Sequence, residues 1–218
     1  MASYKNGKLA DVAASRIRDM IIHGVLSSGE PLAEVRLAEE LGMSRTPIRE
    51  AISILEFEGM VHSITGRGAV VTDIAKEDFI EINDIRVALE PLAAARAMPM
   101  MPRNVISEYK TVWMKFLEDM RTGHSVSSHA LTEEDEKLHR LFIDYCGSRR
   151  LKNILSSLRH QARRYIFVHW DTKEYVVETI IQHLDIVRAA EIPDSDLLKS
   201  SLETHLLSNK IFLKIYKT

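Results

Sequence analysis

Gly42-Met43-Ser44-Arg45-Thr46-Pro47-Ile48-Arg49-Glu50-Ala51 is the stretch on which the reading of this chain turns. It opens a helix. Ser44 can cap it, because a serine hydroxyl accepts one of the N–H groups that a first helical turn leaves unpaired. Pro47 falls inside that turn, where its missing N–H costs nothing, and Glu50 is favoured there by the helix dipole. Arg45, Thr46 and Arg49 then add two guanidiniums and a hydroxyl to a terminus that already attracts anions. The arrangement suits a polyanion, or phosphates flanking a base edge. An ordinary exposed helix start with two solvated arginines is the plainer alternative, and the surroundings decide between them.

Upstream, Glu34 to Leu41 reads as a short helix with Val35, Leu37, Ala38 and Leu41 available to face inward. Gly42 ends it. Two helices joined by Gly42-Met43-Ser44 form a helix-turn-helix, whose second helix enters a DNA major groove with its N-terminal residues. That second helix runs from Arg45 to about Glu58, burying Ile48, Ala51, Ile52 and Leu55, and stops at Gly59. Met60–Ile64 and Ala69–Thr72 are β-prone runs around Thr65-Gly66-Arg67-Gly68, a hairpin whose tip arginine can reach a minor groove or phosphate. Before all this, Leu9, Val12, Ala13, Ile17, Met20 and Ile21 recur at helical spacing up to His23-Gly24, and residues 1–8 read as a flexible tail.

Composition narrows the class. The chain has 218 residues, 45% of them hydrophobic and 28% charged, enough for a packed core. No apolar run approaches the roughly 18 residues a membrane span needs, and the polar N-terminus lacks a secretory signal core. A lone cysteine, Cys146, fits a reducing cytosol, so a cytoplasmic location is expected. Residues 1–74 carry 8 Lys and Arg against 10 Asp and Glu, a balance of −2, and the remainder is neutral. No domain-wide basic footprint exists, so any nucleic-acid contact is local.

The run Leu37-Ala38-Glu39-Glu40-Leu41-Gly42-Met43-Ser44-Arg45-Thr46-Pro47-Ile48-Arg49-Glu50-Ala51, with Leu55-Glu56 and Gly66-Arg67-Gly68, resembles the winged helix-turn-helix of the GntR family of bacterial transcription regulators. The likeness covers residues 9–73. It implies phosphate contacts from Arg36, Arg45 and Arg49, and base or backbone contacts from Thr46 and the Gly66-Arg67-Gly68 tip, with Ser44 and Pro47 in the same surface. Arginine reads guanine in bidentate fashion, whereas phosphate contacts set register.

Residues 74–218 form a different object, helical almost throughout. The periodicity predicts helices near 76–97, 104–121, 132–146, 149–169, 173–190 and 194–214. Breaks are expected at Pro99 and Pro102, Gly123, Gly147-Ser148, Asp171-Thr172 and Pro193, and Pro91 should kink or divide the first helix. The fold class expected is therefore mainly α: an N-terminal winged helix-turn-helix plus a C-terminal all-α antiparallel six-helix bundle.

Asp135 and His139 stand four apart and share a helix face, while His183 and His205 lie on the apolar sides of their helices. An unpartnered imidazole there is costly. An aspartate with three histidines makes an N₃O set suited to zinc, nickel or a similar ion. Hydrogen-bonded core histidines without metal are the alternative on spacing alone. Asp135-Glu136-Lys137-Leu138-His139-Arg140-Leu141, Gln182-His183-Leu184 and Thr204-His205-Leu206 resemble the FCD-type effector domain of one GntR subfamily, that of FadR. The resemblance implies a divalent metal, zinc or nickel, on Asp135, His139, His183 and His205, and a small carboxylate effector. The six-helix count favours the VanR-like branch.

Arg86, in Asp84–Leu92, is read either as paired with Glu90 one turn on or as free to hold that anion; Arg163 and Arg164 are further candidates. Gly147-Ser148-Arg149 departs from the family, which commonly has Asn after that glycine. The other histidines read as surface or packing residues, although His62 on the wing can reach DNA. Trp113 and Trp170, with Phe116, Tyr165 and Phe167, read as bundle core or interface.

The expectation is a transcription regulator, a repressor by family habit, binding a short palindromic operator as a homodimer and answering to its metal and effector. Two rivals stand beside it. One is a metal-dependent hydrolase on the helical half, which lacks a general base beside the ligands. The other is a DNA-binding protein whose bundle only dimerises.

Overall fold

The apolar spacing of Ile48, Ala51, Ile52 and Leu55 gives a helix with one buried face, and that face organises the N-terminal unit. In the computed structural model, which describes residues 2–73, 75–167, 173–192 and 194–216, with side chains in 2–6, 103 and 210–216 set aside, the chain divides into two units, Met1–Ala75 and Lys76–Thr218.

The first unit contains α1 (Ala2–Ile22), α2 (Glu34–Leu41), α3 (Arg45–Phe57), β1 (Val61–Ile64) and β2 (Gly68–Val71). α3 packs on α1 and α2, and Pro47, Ile48, Ala51, Ile52 and Leu55 are buried. Gly42 takes φ 63°, a left-handed conformation that glycine adopts without a Cβ clash, and turns the chain from α2 towards α3. β1 and β2 pair antiparallel with Ile64 opposite Gly68, and glycines at φ 79° and 76° shape the tip. The connection before α2 joins this hairpin: Leu32 N–H donates to Ala69 and Val71 N–H to Glu30.

Three expectations need correction here. α1 starts at Ala2, not Leu9; residues 2–8 contain no proline, and Gly7 alone costs only about 1 kcal/mol against alanine. Its buried stripe is Ala10, Ala13, Ala14, Ile17, Ile21 and Ile22, whereas Leu9 and Val12 are exposed. Val35 is 51% exposed, because Leu37 and Ala38 fill the α2 side that meets α3.

The second unit contains α4 (Lys76–Ala97), α5 (Arg103–Arg121), α6 (Ser128–Tyr145), α7 (Arg149–Phe167), α8 (Lys173–Glu191) and α9 (Ser195–Tyr216). α4 packs on α6, α7 and α9, and α8 on α5 and α9. α4 runs unbroken through the buried Pro91, with Ala93, Ala94 and Ala97 buried beyond it. The packed face outweighs the lost backbone hydrogen bond, so the proline does not divide the helix. α6 starts at Ser128, four residues ahead of expectation by the numbering, because the Ser127 hydroxyl accepts Ala130 N–H as its cap. Ser148 fills the family's asparagine position as a cap too, its Oγ accepting Leu151 N–H. Trp113 is fully buried, and Tyr165 stacks on Phe79 with ring centroids 4.4 Å apart. The breaks at Asp171-Thr172 and Pro193, with His169 and Trp170, lie outside the described residues. Among the described residues, no helix is long and apolar enough to cross a membrane.

The α2 phase has a measurable consequence. Leu37→Ala should destabilise the N-terminal unit by about 2–5 kcal/mol, while Val35→Ser should change it by no more than about 0.5 kcal/mol. Denaturant unfolding of both variants checks this, and equal losses would contradict the assigned face.

Candidate nucleic-acid interface and metal centre

The start of α3 presents its polar residues outward. Ser44, Arg45, Thr46 and Arg49 are exposed, as are Arg36 on α2 and Gly66, Arg67 and Gly68 at the hairpin tip. Pro47 is the exception: it is buried in the first turn and packs inward. Ser44 occupies the cap position, but its hydroxyl makes no capping bond and stays available to a ligand.

The arginines are held by carboxylates. Arg49 donates from Nε and Nη2 to the two oxygens of Glu34, both at 3.0 Å, and Arg45 Nη2 donates to the same residue at 3.2 Å. Arg36 donates to Glu30 at 2.7 Å, and Glu30 also accepts Ser27 N–H. The Arg49 hydrogen bond keeps the Glu34 carboxyl below its ordinary value, so the pair is charged. Exposed pairs of this kind contribute little, and a phosphate replaces the carboxylate at small cost. Glu34 therefore aims two guanidiniums without locking them. His62 on the wing is exposed and lies 3.3 Å from the Thr72 hydroxyl.

The helical unit brings four expected residues together. Asp135 and His139 on α6, His183 on α8 and His205 on α9 are all buried, and one ligand-type atom from each lies within 4.8 Å of the others. Their nitrogens are sorted. His139 Nδ1 lies 2.5 Å from Glu90 Oε2, His183 Nδ1 2.8 Å from the Thr179 carbonyl, and His205 Nδ1 3.1 Å from Gln182 Oε1. Each of those partners is an acceptor, so each Nδ1 carries a proton, and on neutral His139 and His205 the lone pair is then on Nε2, whereas His183 Nε2 faces the Asp135 carboxylate. His183 Nε2 lies 3.1 Å from Asp135 Oδ1, His139 Nε2 lies 3.8 Å from that oxygen, and neither His139 Nε2 nor His205 Nε2 has a hydrogen-bond partner among the described residues.

Burial lowers the proton affinity of His139, and more strongly that of His205, which the neighbouring His183 lowers further. Burial opposes the Asp135 charge, but Arg159 and the imidazoles outweigh it and hold the carboxyl well below its ordinary range. Neutral His139 and His205 beside an ionised Asp135 are protonation states that metal binding requires.

A shell of charge encloses the four. Arg159 Nη2 donates to Asp135 Oδ2 at 2.7 Å and its Nε to Glu136 at 3.0 Å, and its Nη1 lies 3.6 Å from Glu90. Arg86 is paired rather than free, with Nε 2.6 Å from Glu90 Oε1, although its Nη1 and that of Arg159 lack hydrogen-bond partners. Arg163 pairs with Glu133, one turn from the cluster. Trp113 stacks on His183, centroids 4.0 Å apart and planes within 4°.

Sequence reading missed Arg159, the Trp113 contact, the outer acceptor Gln182, and the second role of Glu90, read only as the partner of Arg86, as acceptor to His139. Arg159 stands four before Arg163 on a helix whose inward residues include Leu155, Ala162 and Ile166. That spacing was the signal available for it.

A winged helix-turn-helix that presents arginines on its second helix, followed by a helical unit with a buried histidine–carboxylate cluster, defines a two-part bacterial regulator. Comparison with known proteins agrees. Residues 9–71 match the bacterial regulatory proteins of the gntR family, and residues 81–208 match the FCD domain. The chain belongs to the GntR family, in the group with an FCD domain, and is a DNA-binding transcription regulator rather than an enzyme. It is 28% identical over 198 residues to the uncharacterized HTH-type transcriptional regulator YdhC of Bacillus subtilis, covering 88% of this chain and 84% of that one. It is 30% identical over 169 residues to the gluconate operon transcriptional repressor of Bacillus licheniformis, covering 77% of this chain and 61% of the relative. The fold matches Escherichia coli McbR/YncC with a TM-score of 0.80 at 20% identity, over 94% of this chain and 97% of that one.

Arg49→Ala should raise the Kd for operator DNA by an amount on the order of 1–3 kcal/mol, with the melting midpoint unchanged because Arg49 is exposed. Wild-type affinity should fall about 10³-fold or more between 50 and 200 mM salt if roughly six phosphates are neutralised. Fluorescence anisotropy measures both, and unaltered binding by Arg49→Ala would contradict the placement of the reading head.

Proposed function

We propose that this regulator is a cytoplasmic homodimeric repressor whose grip on a short palindromic operator is set by a divalent metal, zinc or nickel, and a small carboxylate effector. The observation that carries the metal part is the sorted imidazoles: three Nδ1 atoms on outer acceptors, with two orphaned Nε2 atoms buried close to Asp135. A purely structural cluster gains nothing from leaving those atoms unsatisfied, since a buried polar group without a partner costs about 1–3 kcal/mol. The residues therefore fit such an ion, held by Asp135, His139, His183 and His205. When bound, the ion supplies a fixed positive charge and Lewis acidity for a carboxylate.

Arg86 and Arg159 support the effector class. Their Nη1 groups are buried without a hydrogen bond, that of Arg159 3.6 Å from Glu90, and suit a carboxylate better than a neutral ligand. Arg163, committed to Glu133, takes a lesser part. Relatives named as repressors of gluconate and D-xylose operons support repression and a sugar-derived effector. The six helices among the described residues of the second unit support the VanR-like branch. The effector has to favour one arrangement of the dimer over the other, since a ligand of equal affinity shifts nothing.

Protein purified without a polyhistidine tag is expected to carry about one zinc or nickel ion per chain, lost in His183→Ala and in His205→Ala. A folded wild type that neither carries nor takes up either ion would overturn the site. Small organic acids should raise the melting midpoint of the loaded protein, and a chelator should abolish that rise.

A further inference from the structure

We propose that Gln182 is a positioning residue that fixes which nitrogen of His205 can meet a metal; the inference rests on the metal reading of the cluster. Gln182 precedes a ligand, His183, but points elsewhere. Its Nε2 donates to Glu178 Oε1 at 3.2 Å, and its Oε1 lies 3.1 Å from His205 Nδ1 and accepts from Ser208 Oγ at 2.8 Å.

The orientation of that amide follows from its neighbours. Glu178 lies on the exposed side of α8, and its carboxylate oxygen accepts, so the amide NH₂ faces it. The carbonyl oxygen is then turned to His205 and Ser208. A carbonyl oxygen cannot donate, so the proton of a neutral His205 belongs on Nδ1 and the lone pair on Nε2. That Nε2 is the buried atom without a partner. In water a neutral histidine favours the opposite tautomer, with its proton on Nε2, so Gln182 reverses an intrinsic preference.

The three imidazoles are controlled by unlike means. His183 answers to a backbone carbonyl, that of Thr179, which substitution leaves in place. His139 answers to Glu90, a buried carboxylate that also carries Arg86. Gln182 is half-buried and uncharged, so its side chain can be changed without stranding a buried charge. Through Glu178 the chain of hydrogen bonds reaches the surface.

Long-range ¹H–¹⁵N correlation spectra of metal-free, ¹⁵N-histidine protein read the tautomer directly. Wild-type His205 is expected as the Nδ1–H form. Gln182→Leu should shift it to Nε2–H and weaken zinc binding, measured by competition with a chromophoric chelator, by about 10–100-fold. Gln182→Glu combined with Glu178→Gln, which keeps an acceptor for His205 and the bond between the two side chains, should restore both. Ser208→Ala removes the other hydrogen bond to the same oxygen and should leave both unchanged. An Nε2–H wild type, a Gln182→Leu protein with wild-type tautomer and zinc affinity, or equal losses in Gln182→Leu and Ser208→Ala would each overturn the assignment. A wild type that binds no zinc refutes the metal reading instead, and the metal-free spectra still decide the role of Gln182.

Discussion

The helical unit is built around one expensive act, the burial of the Asp135 carboxylate beside three imidazoles. A charge taken out of water costs several kcal/mol unless paired and hydrogen-bonded. Arg159 meets that cost, binding Asp135 and Glu136 together while lying near Glu90. Glu90 in turn is kept charged against its own burial by Arg86 first, then by His139 and Arg159. Four helices, α4, α6, α7 and α8, are thereby tied to one network, and α9 joins through His205. Hydrophobic residues of similar volume often pack such a core at least as stably, and the charges support the proposed ligand on that ground.

Arginine serves two purposes in this chain, and burial separates them. Arg45 and Arg49 are exposed and share one acidic partner, a weak bond open to exchange for phosphate. Arg86 and Arg159 are buried, at 0% and 1% exposure, and removing either partner of such a pair costs about 3–5 kcal/mol. Exposed pairs exchange partners readily, whereas buried ones hold a geometry. The first suits a surface that must meet and leave DNA, the second a site that must stay preorganised.

Much of the fold was legible because helical spacing reports a buried face. α3 was read correctly because Ile48, Ala51, Ile52 and Leu55 leave one choice of face. The faces of α1 and α2 were read through Ala13, Ile17, Ile21, Leu37 and Ala38, all buried, but Leu9, Val12 and Val35 were wrongly added to them, while the buried Ala10 and Ala14 carry little hydrophobic signal. The cluster was half visible: Asp135 and His139 are one turn apart, but His183 and His205 join them only by packing. The pairing of Glu90 with Arg86 was legible one turn away, but the bonds of Glu90 to His139 and of Arg159 to Asp135, 49 and 24 residues apart, were beyond local reasoning. No periodicity encodes a contact of that range, and a charged residue on an inward stripe is the only local hint.

The account stands or falls on what the four buried residues hold. Crystals grown with zinc or nickel and measured at that metal's absorption edge would locate it by anomalous scattering. The account predicts one peak per chain in the helical unit, bounded by an Asp135 oxygen and the Nε2 atoms of His139, His183 and His205. No peak there, with the Nε2 atoms of His139 and His205 hydrogen-bonded to protein groups or water, would contradict it.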